Sequence, residues 1–411
     1  MIMQHSRGNV LAVLLLIASL VGVSTAAAAE LHGQSSTQYL WFNDIFTGKD
    51  RAELAESLNV SVTKIDSEGR FTIHGYGRGT YELRDAGDGS KDLKGRLYYL
   101  YADYQNFADK IDLRIGRQYI NYAAGSALVD GGMIEIKNVG PVAFSAMGGR
   151  YVFFDLNGEG GTSEDNVFGM AAYLQGIKGT DAEISYFVKS DKDGTAREQM
   201  GYSFKQYVLD FMKVYTNGRY DLVSEVFSEV LFGAKYYPTA DLVVTAETYQ
   251  SYPTFDVTSI YAVFAVSQYR ENLLRADYTI TETIGLNAGY TWQDYDGEDA
   301  NVLEIGGRFL PIDSLRINVN YDKRSGYGGK LNGYAVEAFF DQSKKLELSA
   351  GVHHDVYERD RSTGQETASK YWVGAKYQIE KNISALARIE DNVNARYNHD
   401  KSGRVVLNYS F

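Results

Sequence analysis

Hydrophobic and polar residues alternate along most of the chain after residue 30. In the segment 315–321, for example, the odd positions are Leu, Ile, Val and Tyr, whereas the even positions are Arg and Asn. The segments 284–292, 371–379 and 383–390 follow the same rule. A period of two residues is typical of a β-strand, because successive side chains point to opposite faces of a sheet. The chain is therefore predicted to be all-β.

These alternating segments follow one another from 34–43 to 402–411, with turns rich in Asp, Gly, Asn and Lys between them. They are odd in number, and 257–268 is one of them, whereas a single closed antiparallel barrel has an even number of strands. At least one segment is therefore wrongly assigned. We expect a single closed antiparallel transmembrane β-barrel of about 20 strands, within a range of roughly 18–22. Its long loops are predicted in the polar interruptions 85–92, 157–166, 322–330 and 358–367.

The first 29 residues differ from the rest of the chain. Arg7 precedes an apolar stretch at 10–23, and Ala27 to Ala29 offer small residues at a cleavage site before Glu30. This order is typical of a secretory signal peptide. A transmembrane anchor is the alternative, but a spanning helix needs roughly 20 apolar residues. We predict a cleaved signal peptide at 1–29 and one barrel domain at 30–411.

Two features favour a membrane barrel over a soluble sheet. Aromatic residues cluster near strand ends, as at Tyr98 and Tyr99, which is the pattern of girdles at the two membrane interfaces. Full charges also stand in mid-strand on the face opposite the apolar one. Such charges are costly in a protein core but are solvated in a water-filled lumen. The apolar face is therefore predicted to contact outer-membrane lipid.

The end of the chain supports this assignment. Residues 404–411 alternate and finish on an aromatic residue, with Val405, Leu407, Tyr409 and Phe411 on one face. This ending resembles the C-terminal signal of Gram-negative outer-membrane β-barrel proteins, which the barrel insertion machinery reads. The resemblance implies location in the Gram-negative outer membrane. Because a closed barrel is the sheet that satisfies every backbone group in lipid, we expect 402–411 to pair with 34–43.

Composition and charge exclude several other classes of protein. The chain has no cysteine, so it has no disulfide, thiolate metal site, covalent haem attachment or cysteine nucleophile. The net charge of −12 argues against nucleic acid as a partner. His353 and His354 point to opposite faces of one strand and cannot share a metal. Without a nucleophile–base pair we predict no enzyme activity, and we expect no catalytic residue, metal or cofactor.

Strand parity assigns charged and polar side chains to the lumen. The candidates are His74, Arg78, Glu82, Arg84, Arg114, Gln118, Glu135, Lys137, Lys376, Arg388 and Glu390. We interpret them as ordinary lumen lining rather than as a dedicated ligand site. A basic cluster of Arg78, Arg96, Arg114 and Arg150 favours anions, whereas Glu82, Glu135 and Glu390 favour a mixed, weakly selective pore. The sequence leaves both open.

The segment 113–119, followed by 130–132, resembles a strand–loop pattern of large single-chain porins, including alginate-export-type barrels. Parity places Arg117 on the lipid face with Ile115 and Tyr119. An arginine at mid-membrane there costs about 2–4 kcal/mol, so Arg117 is predicted to lie at the interface or to follow a bulge. Residues 123–128 are small and polar, which allows a constriction loop in the lumen without requiring one.

The favoured function is a porin-like outer-membrane channel for passive diffusion of small hydrophilic solutes through a charged lumen. The alternative arises from 35–41 and 250–256, which resemble the barrel component of porin–cytochrome conduits. That resemblance implies a sheath around a partner multihaem cytochrome that conducts electrons across the outer membrane. A barrel of about 20 strands would be wide enough for such a partner, because lumen width follows strand number.

Overall fold

The computed structural model describes residues 29–44, 48–84, 93–155, 158–160, 165–174, 176–256, 267–359 and 364–411. Within these ranges the regular structure is entirely β-strand. None of the described residues forms a helix that is long and apolar enough to cross a membrane. The predicted signal peptide lies outside the described residues except for Ala29.

The first part of the sheet contains β1 to β9. Their bounds are Glu30–Asp44, Lys49–Thr63, Phe71–Glu82, Lys94–Phe107, Ile111–Tyr122, Gly125–Val139, Val142–Asp155, Gly158–Gly160 and Asn166–Leu174.

The strands β10 to β23 complete the sheet. Their bounds are Thr180–Asp191, Gly194–Val208, Met212–Asp221, Val226–Thr239, Leu242–Ser251, Tyr269–Thr281, Ile284–Tyr295, Glu298–Ile312, Leu315–Gly326, Lys330–Ser343, Leu346–Glu358, Glu366–Glu380, Ile383–Asn394 and Asp400–Ser410.

The sheet closes on itself. Each strand pairs antiparallel with the next, except that β7 pairs with β9 and the three-residue β8 pairs with β7 only. The barrel wall therefore has 22 strands. Closure occurs between β1 and β23, in a register that runs from Gln34 opposite Ser410 to Trp41 opposite Gly403. The predicted fold class and the predicted pairing of 402–411 with 34–43 are both confirmed.

The two ends of the barrel differ in their connections. We call the end with the β5–β6 and β14–β15 connections the loop end. The other end, with both chain termini and short links such as β15–β16, is the turn end. The predicted loop 322–330 is shorter than expected, because β18 continues its alternation to Gly326 and β19 begins at Lys330. The predicted strand 257–268 lies outside the described residues up to 266, and β14 pairs directly with β15.

Alternation gives the wall two chemically different faces. Large apolar side chains point outward and are strongly exposed, such as Ile115 at 70%, Leu274 at 59% and Val373 at 58%. Their neighbours along each strand, such as Arg114 and Arg275, point inward. An apolar outer band around a polar interior is the arrangement of a transmembrane β-barrel, since the outer band faces lipid and the interior faces water.

Candidate functional site

The β5–β6 hairpin leaves the wall and enters the lumen. β5 pairs with β4 only as far as Arg117, whereas its pairing with β6 continues to the hairpin end at Tyr122 and Gly125. The bend occurs at Gly116, whose φ of +125° is rarely adopted by other residues. A Cβ atom there would lie 2.3 Å from the carbonyl oxygen of Leu100. We call residues 118–129, beyond this bend, the hairpin tip.

Polar contacts fix the hairpin tip against the inner face of β10 and β12. The backbone N–H of Ala123 donates to Glu183 Oε1 at 2.6 Å, and that of Ala124 donates to Ser185 Oγ at 2.8 Å. Arg219 Nε donates to the carbonyl oxygen of Ala123 at 3.3 Å. Glu183 and Ser185 alternate with the outward Ile184 on β10, so they point inward. The tip therefore lies inside the barrel.

A small apolar core forms where the hairpin tip meets the inner wall. The tip contributes the buried residues Ile120, Tyr122, Ala124, Ala127 and Val129. The wall contributes the buried residues Met147, Val167, Ala171 and Phe187. The opposite face of the tip, with Tyr119, Asn121 and Ser126, stays exposed. The tip therefore turns an apolar face to the wall and a mostly polar face to the remaining lumen.

An ion cluster lies at the bend of the hairpin. Arg117 contacts both carboxylate oxygens of Asp130, at 2.6 and 2.7 Å, and donates to the Leu97 carbonyl oxygen at 3.2 Å. Arg150 donates to the same carboxylate at 3.0 Å. The Arg117 side chain is only 9% exposed. Parity along β5 alone would expose Arg117 on the lipid face, but the bend at Gly116 and this pairing leave its side chain nearly buried.

A second segment also folds inward near the loop end. Residues 252–256 follow β14 without regular structure, and the Asp256 carboxylate contacts Lys189 Nζ and Arg197 Nε at 2.7 Å each. Lys189 also lies over the ring of Tyr151, 4.1 Å from its centroid. Sequence reasoning missed this segment. The sequence feature that could have indicated it is Asp256, a single charge in an otherwise uncharged stretch after β14.

Three predicted lumen residues lie on the inner wall of β3 to β5. His74 Nδ1 lies 2.8 Å from Ser61 Oγ, and its ring packs on Tyr101. Arg114 contacts both carboxylate oxygens of Asp103, at 2.6 and 3.2 Å. Arg78 stands directly opposite Arg96 in the β3–β4 pairing, which concentrates positive charge there.

Glu82 and Arg84 lie near the loop end. Glu82 is buried and contacts Arg51 Nε at 3.2 Å, while it accepts from the backbone N–H of Ala52 at 3.0 Å. Arg84 follows β3, is exposed and contacts Asp50 at 3.2 Å.

The other predicted lumen residues fall in two groups. Glu135 and Lys137 lie on β6 near the turn end, where Lys137 contacts Asp112 at 2.7 Å. Lys376 on β21 and Arg388 and Glu390 on β22 share the inward parity of Trp372. Arg388 lies over the Trp372 ring and contacts Glu390 at 3.3 Å.

Gln118 does not line the open lumen. Its side chain is fully buried, and its Nε2 donates to the Gly131 carbonyl oxygen at 3.2 Å. Parity along β5 predicted an inward side chain, but the bend at Gly116 turns that face of the hairpin against the wall. The contribution of the other candidates to conduction stays a prediction.

The four residues of the predicted assembly signal lie on the outer side of the closing strand. Val405, Leu407 and Tyr409 are each more than 40% exposed, and Phe411 exchanges two backbone hydrogen bonds with Gly33. Recognition of these residues by insertion machinery stays a prediction. Among the described residues, no cluster of His, Asp and Glu is suited to hold a metal ion.

Comparison with solved structures identifies the fold. Acinetobacter baumannii OccAB2 matches with a TM-score of 0.51 and 11% identity, over 93% of this chain and 98% of that one. A BenF-like porin from Pseudomonas fluorescens Pf-5 gives 0.49 and 12%, over 93% and 98%. The outer membrane protein OpdK from Pseudomonas aeruginosa gives 0.48 and 11%, over 93% and 99%. These neighbours are Gram-negative outer-membrane porins, which are channels rather than enzymes.

The comparison with OccAB2 shows that the chain has an outer-membrane porin fold, and its low identity limits the result to the fold. No protein-family model and no curated protein sequence matches the chain.

Proposed function

We propose that the protein is an outer-membrane channel through which small hydrophilic solutes diffuse passively. The observation that carries this proposal is the hairpin tip, held in the lumen by Glu183, Ser185 and Arg219. A size-selective pore requires a segment that narrows the polar lumen but leaves part of it open. The hairpin tip packs on the wall with one face only, so it fits this requirement. The apolar outer face supports location in the outer membrane, and the porin fold supports a channel.

Export, barrel insertion and selectivity complete this proposal. Residues 1–29 act as a cleaved signal peptide and 30–411 form the barrel. The insertion machinery reads the closing strand, and the charged residues of the inner wall set a weak selectivity. Both signs occur on that wall, as in the Arg388–Glu390 pair, so neither cations nor anions are strongly excluded. No step of this function requires a catalytic residue or a cofactor.

The electron-conduit alternative has no support in the fold comparison. A sheath requires a lumen that a partner cytochrome can fill, whereas this lumen contains the hairpin tip and residues 252–256. We therefore retain the diffusion channel as the proposed function.

Single-channel conductance in planar lipid bilayers tests the proposal. The wild-type protein is compared with a variant in which an Asn-Gly turn replaces the hairpin tip, 118–129. We expect ohmic conductance from the wild type and a severalfold larger conductance from the variant, because the narrowest part of the lumen is removed.

A matched control shortens a different loop-end connection. An Asn-Gly turn replaces residues 395–399, whose His399 contacts the outward-facing Asp391. This change is expected to leave conductance unaltered. A wild type that folds in vesicles but passes no ions contradicts the channel. Equal conductance of the wild type and the tip variant contradicts the tip as the constriction.

A further inference from the structure

Four tyrosines form a continuous row around part of the loop end. Tyr249 on β14, Tyr269 on β15, Tyr295 on β16 and Tyr327 after β18 have successive ring-centroid distances of 6.1, 4.8 and 4.7 Å. We call these residues the tyrosine row. Tyr269 and Tyr295 stand directly opposite each other in the β15–β16 pairing. The row therefore crosses neighbouring strands rather than following one of them.

The tyrosine row lies on the lumen side of the wall. Leu274 on β15 and Trp292 on β16 are exposed on the outer face, and Tyr269 and Tyr295 have the opposite parity. Tyr327 is 46% exposed. An aromatic surface at this position meets solute that enters the lumen from the loop end, rather than lipid.

A directed chain of hydrogen bonds fixes the ring hydroxyls. Arg324 donates to the Tyr295 hydroxyl at 3.5 Å, and that hydroxyl donates to Gln293 Oε1 at 3.3 Å. Gln293 Nε2 donates to the Tyr269 hydroxyl at 3.1 Å, and Tyr269 in turn donates to Glu271. Because the Tyr269 and Tyr295 hydroxyls each have a donor and an acceptor role, these two central rings are fixed before any ligand binds.

Carboxylates outnumber cations around the tyrosine row. Arg324 begins the hydrogen-bond chain and Glu271 ends it, and a second carboxylate, Glu298, stands directly opposite Tyr295 in the β16–β17 pairing. The aromatic cluster on the opposite wall differs, because Arg96 lies over the Phe154 ring and stands opposite Arg78. The opposite cluster suits an anion, whereas the carboxylates of the tyrosine row disfavour an anion and suit an uncharged ligand with hydroxyl groups to donate.

We propose that the tyrosine row is a docking surface for a neutral oligosaccharide that enters the lumen. Binding sites combine aromatic platforms with a few placed polar groups, and a sugar unit offers an apolar face together with hydroxyls at its edge. Those hydroxyls donate to Glu271 and accept from Arg324. A row of similar rings matches a ligand of repeating units better than a single small aromatic molecule. Repeated weak sites also permit onward movement.

This inference rests on the proposed channel, and the experiment separates the two. Planar-bilayer currents are recorded with maltohexaose, cellohexaose or xylohexaose added on each side in turn. We expect at least one of these sugars to interrupt the current, with a higher association rate from the loop-end side. The interruptions should persist equally at low and high salt, because the ligand is neutral.

Variants locate the site. Tyr295→Leu and Tyr269→Leu should each weaken sugar binding about threefold to tenfold, since they remove a ring face. Tyr295→Phe keeps the ring and should retain most of the affinity. Tyr76→Leu and Tyr98→Leu, which alter the stacked pair on the opposite wall, should leave sugar binding unchanged. Heat-modified migration on gels checks that each variant is folded.

Two results overturn the inference. One is a conducting wild type whose current none of the three sugars interrupts. The other is an equal loss of binding in the Tyr76→Leu and Tyr295→Leu variants. If the wild type conducts no ions, the proposed channel fails, and calorimetric titration of the detergent-solubilised protein with the same sugars decides the docking surface independently.

Discussion

The β5–β6 and β16–β17 hairpins both leave the turn end with apolar side chains outward and polar ones inward. On β16, Leu286, Tyr290 and Trp292 keep the outward position almost to the loop end, and the hairpin stays in the wall. On β5 the outward apolar positions are Leu113 and Ile115. Beyond Gly116 the buried apolar positions have the other parity, and the hairpin bends into the lumen.

The difference shows that two conditions together remove a hairpin from a barrel wall. The apolar side chains must change from the outer to the inner face of the hairpin, so that burying them against another surface stabilises the inward position. The backbone must also bend, and the row of Gly116, Gly131 and Gly149 across β5, β6 and β7 provides that freedom. β16–β17 does not satisfy the first condition, because its outward apolar set is continuous.

The largest effect is expected from the ion pair at the bend of the β5–β6 hairpin, compared with an exposed ion pair on β15, next to the β16–β17 hairpin. Asp130→Ala leaves the nearly buried Arg117 without its carboxylate, which costs about 3–5 kcal/mol of unfolding free energy. The control, Asp277→Ala on β15, frees Arg275 from a similar two-oxygen contact. Arg275 is 41% exposed, so this loss is about 0–1 kcal/mol. Urea unfolding in lipid vesicles measures both, and equal losses would contradict the burial argument.

A smaller loss of unfolding free energy is expected when a substitution prevents the bend at Gly116. Gly116→Val adds backbone strain of about 1–3 kcal/mol at a positive φ, together with the close approach to Leu100. The tip should also be displaced, with an increase in channel conductance. Gly285→Val on β16 is the control, because the nearest atom to its added Cβ is Arg308 Nε at 3.8 Å. If Gly285→Val destabilises the protein as much as Gly116→Val does, the bend has no special role.

The smallest effect concerns one anchor of the hairpin tip. Glu183→Gln keeps the shape of the acceptor for the Ala123 N–H but removes its charge, which weakens the contact by about 1 kcal/mol. Openings of the tip should then become about fivefold more frequent, measured as brief increases in single-channel current. Glu304→Gln, on β17 in the comparison hairpin, should leave the opening frequency unchanged. If both variants open equally often, Glu183 does not anchor the hairpin tip.

Most of the wall was predictable from the sequence because its signal is local and repeated. The alternation in 284–292 and 315–321 gives both the strands and their faces, and the apolar parity of 404–411 gives the outer side of the closing strand. The pairing of β1 with β23 followed because a lipid-exposed edge is not tolerated, whereas the register within the pair was not predicted. The odd count of segments also indicated that at least one of them lies outside the barrel wall, which has 22 strands.

The docking of the hairpin tip was not predictable in the same way. Glu183, Ser185 and Arg219 look like ordinary lumen lining in the sequence, and nothing local connects them with Ala123 or Ala124. The change of apolar parity between Ile115 and Ile120 was present, and it marks the bend. Gln118 was misplaced because parity was carried across Gly116. Asp256 was missed because its partners lie on β10 and β11.

The separation of the hairpin tip from its anchors has a consequence for the order of folding. Ala123 lies 60 residues before Glu183 and 96 residues before Arg219. Neighbouring strands pair over short chain distances, whereas the tip has no docking surface until β10 to β12 have formed. Because contacts between distant residues form slowly, the newly folded barrel passes through a stage with an undocked tip and a wider passage. We therefore expect a wider passage in the new barrel until the constriction is in place.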